Sequence, residues 1–364
     1  MKKRAKNIFK NLDKKQKIDV VLIKNSDGSC CDENFFYVTG LDKGIFEGAT
    51  ALVYPDGEID LLVSELEAEI AKKADADLYI YKDKKTFDNF LKKLLSNVKK
   101  VGLNFDAFSH RDFCKLKEQH RRLRFVDVSE NLTKTRLVKD ELEIKLIRES
   151  CKVVDKVMKT IPGMLQEGMY EYEIAAEIDY LMQKNGADKP AFETISSFGK
   201  NTAKPHYSHG KTRLKKGCFV LFDFGSCYHR YNSDITRTFV FGKADKKQRE
   251  MYKTVLEAQK IGLDSIKPGV KANKVHNLVS DYIEKTRFRG CFIHSTGHSL
   301  GLSVHDGAGF SPESKVMLRE NMVFTVEPGV YVPGFGGVRI EDDVLVKKDG
   351  VEVLTKSPKG FLEI

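Results

Sequence analysis

The first third of the chain alternates short apolar runs with amphipathic stretches. Residues 18–23 predict a strand, and the segment 34–41 (NFFYVTGL) predicts a short extended piece closed by Gly40. Residues 49–67 predict two strands joined at the turn Pro55, Asp56 and Gly57. Helical apolar spacing from Phe87 to Leu95, a strand over 101–104 and a basic helical stretch over 109–122 complete an alternating pattern, which predicts an α/β domain. The texture turns polar over 129–140, so a boundary is expected there, with an N-terminal domain at 1–133 and a second domain at 134–364.

The second domain opens on a long amphipathic helix. Its apolar stripe is Ile144, Ile147, Cys151, Val154 and Val157 or Met158, a spacing that predicts core packing. A helix over 172–184 should end at Asn185 and Gly186. Strands and loops follow, then helices near 245–266 and 271–287, and after Cys291 a stretch rich in glycine and β-branched residues. Two helix pairs, each leading into strands, permit a pseudo-duplicated α+β architecture.

Composition narrows the class. With 364 residues, two domains are the default, and 41% hydrophobic with 31% charged residues describes a soluble globular chain. No run reaches the length of a membrane span, and the basic N-terminus lacks an apolar core behind it, so a cytoplasmic protein without membrane partners is expected. The seven cysteines, at 30, 31, 114, 151, 218, 227 and 291, form no C-x-x-C pair and read as reduced thiols. The net charge of +10 and the run Arg121, Arg122, Leu123, Arg124 raise a nucleic-acid reading. Lysine is spread along the whole chain and no nucleic-acid module accompanies it, so a solvated basic surface is expected and no nucleic-acid partner.

Candidate chemistry gathers in the second domain. Two strand-like runs, each carrying one aspartate (Asp223 and Asp234), are joined by a short polar segment and read as a β-hairpin. A turn centred between Tyr228 and His229 would put the two aspartates opposite each other, where like charges repel. Either one is protonated or a cation lies between them. Most histidines fall between 206 and 305, three of them in HSTGHSLGLSVHD (294–306). Glu327 ends the apolar run 322–326, and Glu341 follows Arg339 by two residues, hence on the same strand face. Asp223, Asp234, His298, Glu327 and Glu341 together offer four carboxylates and one imidazole, a set that suits two fairly hard divalent cations. Taken singly, each has a structural alternative: a satisfied core histidine, a cap, a surface ion pair.

On the D-x10-D pair, the HSTGHSLGLSVHD block, TVEPGVYVPG, GGVRIEDDVLV and NTAKPHY, the chain resembles the pita-bread metallopeptidases, the family of methionine aminopeptidases, aminopeptidase P and prolidase. FFYVTGL and LLVSELE make the first domain similar to the creatinase-type domain that precedes the catalytic domain of Xaa-Pro peptidases. The resemblance implies an α/β N-terminal domain followed by an α+β pita-bread (creatinase/aminopeptidase-like) catalytic domain. It implies two divalent ions, Mn or Co before Zn or Fe, with Asp223 chelating one, Asp234 and Glu341 bridging, and His298 with Glu327 on the second. Glu327 would handle the proton, His206 and His305 would hydrogen-bond substrate and oxyanion, and Arg339 would orient the carboxylates. A proline-containing peptide is the implied substrate, and a homodimer the implied assembly.

Three alternatives follow. Gly297-His298-Ser299-Leu300-Gly301 satisfies G-x-S-x-G, the pattern of a serine-hydrolase nucleophile, although its sequel does not read as a helix. A pita-bread protein without catalysis would show a substituted ligand, and no ligand position is substituted. Between dipeptidase and aminopeptidase, the loop after His305 (DGAGFSPES) has no Lys or Arg before Lys315, where prolidases commonly offer a cation to the substrate carboxylate. An aminopeptidase is therefore expected, unless Arg213 or a partner subunit supplies the charge.

Overall fold

The computed structural model describes residues 1–13, 15–26 and 31–364. Cys30 lies outside them. The chain divides into two compact units, Met1–Arg136 and Leu137–Ile364. Among the described residues no helix is long and apolar enough to cross a membrane.

The first unit is an α/β layer. Its six strands lie in the order Asp77–Tyr81, Ile59–Ser64, Thr50–Val53, Val20–Lys24, Lys100–Leu103, Arg124–Asp127, with only Thr50–Val53 antiparallel to the rest. The helices Lys84–Leu94 and His110–Gln119 bury Leu91 and Leu116 in one cluster with Leu22, Leu52, Leu62 and Val101. Two elements differ from expectation. Residues Glu33–Thr39 are a helix rather than extended chain. Its aromatic positions are buried on every side, so neither period shows in the sequence. The ends decide instead: Asp32 accepts the Asn34 N–H at 2.9 Å, and Gly40 closes the helix in the left-handed region at φ 69°. The basic N-terminal stretch, which gave no element in the sequence, forms the helix Lys2–Asn11 around the buried Ala5 and Ile8.

In the second unit the helix Glu141–Met164 begins at a reciprocal cap. Asp140 accepts from the Glu143 N–H at 2.9 Å, and Glu143 accepts from the Asp140 N–H at 3.0 Å. It packs with Glu171–Lys184 against a three-stranded sheet, Ile195–Phe198, Cys218–Phe224 and Ile235–Phe241. The helices Lys246–Ser265 and Ala272–Glu284 cover Phe219, Val240, Val330 and Val338. A second sheet (Val323–Val326, Asp342–Lys347, Gly350–Val353) and the ribbon Gly329–Val332/Gly336–Arg339 complete the unit.

Candidate metal centre

Strand alternation places the first candidate. Val220, Phe222 and Phe224 join the cluster under the first helix pair, while Phe219 joins that of the second, so Asp223 is carried on the Phe219 face. The hairpin register differs from the expected one. Asp223 pairs with Thr236, and the inner pair Tyr228/Tyr231 leaves His229 and Arg230 as a two-residue turn. Both turn residues have positive φ, 47° and 70°, which gives the strand-compatible primed turn. Moving the centre by one residue shifts every cross-strand partner by two. Asp234 is consequently a diagonal, not direct, neighbour of Asp223, on the same face as Thr236.

The other acidic groups come from strand ends. Glu327 follows the strand Val323–Val326, and its N–H donates to the Thr296 carbonyl at 2.8 Å. Glu341 joins Gly336–Arg339 to Asp342–Lys347, and its N–H donates to the Thr236 carbonyl at 3.1 Å. His298 lies in extended chain beside Thr325, whose N–H donates to the His298 carbonyl at 2.8 Å. Gly297 is required there, because a Cβ would collide with the Thr325 carbonyl.

These backbones bring Asp234, His298 and Glu341 together, with one ligand atom of each within 4.8 Å of the others. His298 Nε2 is 3.6 Å from Asp234 Oδ2 and 3.5 Å from Glu327 Oε1. Its Nδ1 faces the Ser299 carbonyl at 3.4 Å, which favours the proton on Nδ1 and leaves a lone pair on Nε2. Arg339 donates to Asp223 Oδ2 and bonds Tyr331 OH at 2.8 Å and Thr236 Oγ1 at 3.2 Å. Thr236 also donates to Glu341 Oε2 at 2.6 Å, and Thr325 to Glu327 Oε1 at 3.2 Å.

The electrostatics are those of an undercompensated acidic cluster. Burial, then Glu341 and Asp223, push the Asp234 carboxyl well above its ordinary range, and burial with Glu327 and Asp223 does the same to Glu341. Burial raises Glu327 to about 7, with Arg339 opposing. Burial and the nearby His305 push His298 down to about 3, so it is neutral near pH 7. Asp223 Oδ1 and Asp234 Oδ1 are buried with no hydrogen-bond partner. One arginine among four carboxylates, two orphaned oxygens and an unprotonated imidazole nitrogen fit a bound cation, and the donor set is that of hard divalent metals.

His206 and His305 are both exposed, and the His305 ring centroid lies 4.1 Å from that of His298. Partial burial and His206 hold His305 below its usual pKa. Three further residues, His294, Tyr331 and Asp343, were given no role by the sequence reading. His294 bonds Tyr331 OH at 2.9 Å through Nε2 and the Ser295 carbonyl at 2.7 Å through Nδ1, and Tyr331 in turn meets Arg339. Asp343 accepts the Asp234 N–H at 2.8 Å. Ser299 is 1% exposed, and its Oγ accepts from the Ala308 N–H at 3.0 Å. It lies in extended chain bridged to Phe324, without the strand, turn and helix of a nucleophile elbow.

Residues 145–348 match metallopeptidase family M24, and residues 4–138 match the creatinase/prolidase N-terminal domain. The chain is 37% identical over 362 residues to the Xaa-Pro dipeptidase of Pyrococcus horikoshii, covering 100% of this chain and 99% of that one. The crystal structure of the prolidase from the same organism aligns with a TM-score of 0.89 at 36% identity, over 99% of this chain and 100% of that one. The X-Pro aminopeptidase from Thermotoga maritima aligns with a TM-score of 0.90 at 31% identity, over 95% and 98%. With its creatinase-type first domain and pita-bread second domain, the chain belongs to metallopeptidase family M24.

Proposed function

We propose that the protein is a dinuclear metallopeptidase that hydrolyses the Xaa-Pro bond at the N-terminus of peptides. The convergence of Asp234, His298 and Glu341 around buried, orphaned carboxylate oxygens carries this reading. Asp223, Asp234, His298, Glu327 and Glu341 would hold two divalent ions, with Mn or Co preferred by the oxygen-rich donor set. When bound, such ions supply Lewis acidity and a nucleophile at neutral pH.

The chain's own groups do the rest. Glu327, with a carboxyl raised to about 7, is poised to accept a proton and return it to the leaving nitrogen. His206 and His305, exposed at the mouth, would hydrogen-bond substrate and developing oxyanion. Arg339 fixes Asp223, so it acts as an orienting group. Residues 1–133 would form the creatinase-type domain and 134–364 the catalytic one.

Gly309 supports the aminopeptidase form. It pairs with His298 across an isolated bridge, so the position facing this ligand offers no side chain to a substrate carboxylate. Relatives with both names exist, a dipeptidase and an aminopeptidase. Comparing Xaa-Pro-Yaa tripeptides with Xaa-Pro dipeptides tests the choice: faster tripeptide cleavage is expected, and the opposite order overturns it. Free Cys114, Cys151, Cys218, Cys227 and Cys291 support a cytoplasmic setting. The homodimer implied by the family resemblance is tested by sedimentation.

A further inference from the structure

The loop that carries His305 is held from beneath by a buried charge pair. Lys139 Nζ lies 3.2 Å from Asp306 Oδ2, and the two side chains are 0% and 1% exposed. Burying two charges is costly unless close pairing and further hydrogen bonds offset the lost hydration, and removing one partner of such a pair leaves the other charge uncompensated. The surroundings are built around this pair. At Gly301 a Cβ would collide with Asp306 Oδ2 and lie 3.1 Å from Lys139 Cε. The Asp306 N–H donates to the Ser299 carbonyl at 2.8 Å, closing the loop onto the chain that carries His298. Asn232, two residues before Asp234, donates through its N–H to the Gly301 carbonyl at 2.9 Å and through Nδ2 to the Leu302 carbonyl at 2.8 Å. Lys139 is itself anchored, because its N–H donates to the Asn321 carbonyl at 2.9 Å and it immediately precedes the capped start of Glu141–Met164.

We propose that Lys139 is a positioning residue. Through Asp306 it fixes the loop 301–306 and hence the place of the His305 imidazole beside His298. The inference rests on the role given to His305 above. Lys139 touches no reacting group and acts only through the loop.

A double-mutant cycle tests this. Lys139→Met in the full-length protein is expected to lower kcat/KM for an Xaa-Pro-Yaa peptide roughly 10- to 100-fold, the usual cost of losing an outer support. In a His305→Ala background the same substitution should change little, because the group it positions is already gone. Multiplying losses in the double variant would overturn the proposal. Should Lys139→Met fold poorly, the apolar pair Lys139→Met with Asp306→Leu removes both charges, keeps the core filled and should show the same dependence on His305.

Hydrogen exchange supplies a readout that needs no activity. Faster exchange confined to amides 299–308 in the Lys139 variant supports the proposal, whereas unchanged exchange there, or loosening across the whole second unit, contradicts it. A wild-type protein without peptidase activity would count against the functional reading alone, and the exchange arm would still decide the role of Lys139.

Discussion

His298 Nε2 and Asp234 Oδ2 face each other across 3.6 Å, and the imidazole, its pKa held down at about 3 and its Nδ1 turned to the Ser299 carbonyl, has no proton on Nε2 to offer near neutral pH. That separation is too long for a hydrogen bond and is the spacing of two donors turned towards a shared cation. Glu327 Oε1 stands at 3.5 Å from the same nitrogen, and Glu341 completes the group.

Arg339 distinguishes a planar fork from a point charge. It donates to Asp223, Tyr331 and Thr236 at once, which a lysine cannot reproduce. Arg339→Lys should lower kcat/KM by roughly 10- to 100-fold and weaken metal retention on dialysis. Wild-type kinetics in this variant would remove Arg339 from the account.

His294 sets an acid limit. Burial first, then Arg339, hold its folded pKa at about 4, below the ordinary 6.5. The folded state therefore keeps the ring neutral, and the unfolded chain takes up a proton first as pH falls. Stability from this residue is present above pH 6.5 and is lost as pH drops through 4, a change on the order of 3 kcal/mol. Urea unfolding of metal-free protein at pH 7 and pH 4.5 should show a smaller drop for His294→Gln than for the wild type. Equal drops would place the acid sensitivity elsewhere.

Ser299 should be dispensable for chemistry. Ser299→Ala loses one bond to the Ala308 N–H, which costs about 1 kcal/mol of stability, and activity should stay within a few-fold. Abolished turnover with retained folding would revive the serine-hydrolase reading.

The sequence marked the candidate residues more clearly than it marked their geometry. Asp223, Asp234, Glu327 and Glu341 stood out because carboxylates lay in or beside apolar strand-like runs, where only a compensating partner makes them tolerable, and His298 because it lies in the histidine- and glycine-rich block 294–306. The register was not legible, because it depends on whether His229 and Arg230 accept positive φ, which composition leaves open. Tyr331 and His294 were missed for another reason: an aromatic in a strand and a histidine near glycines look like ordinary packing until their partners arrive from distant segments. The helix Glu33–Thr39 escaped because complete burial erases periodicity.

The most direct test is a metal titration of chelator-stripped protein, reading bound ions and Xaa-Pro-Yaa hydrolysis in the same samples. The account predicts no hydrolysis in the stripped protein, recovery with Mn²⁺ or Co²⁺ as two ions bind per chain, and loss of both binding and recovery in His298→Ala. Full hydrolysis in the presence of EDTA, or undiminished metal binding by His298→Ala, would contradict it.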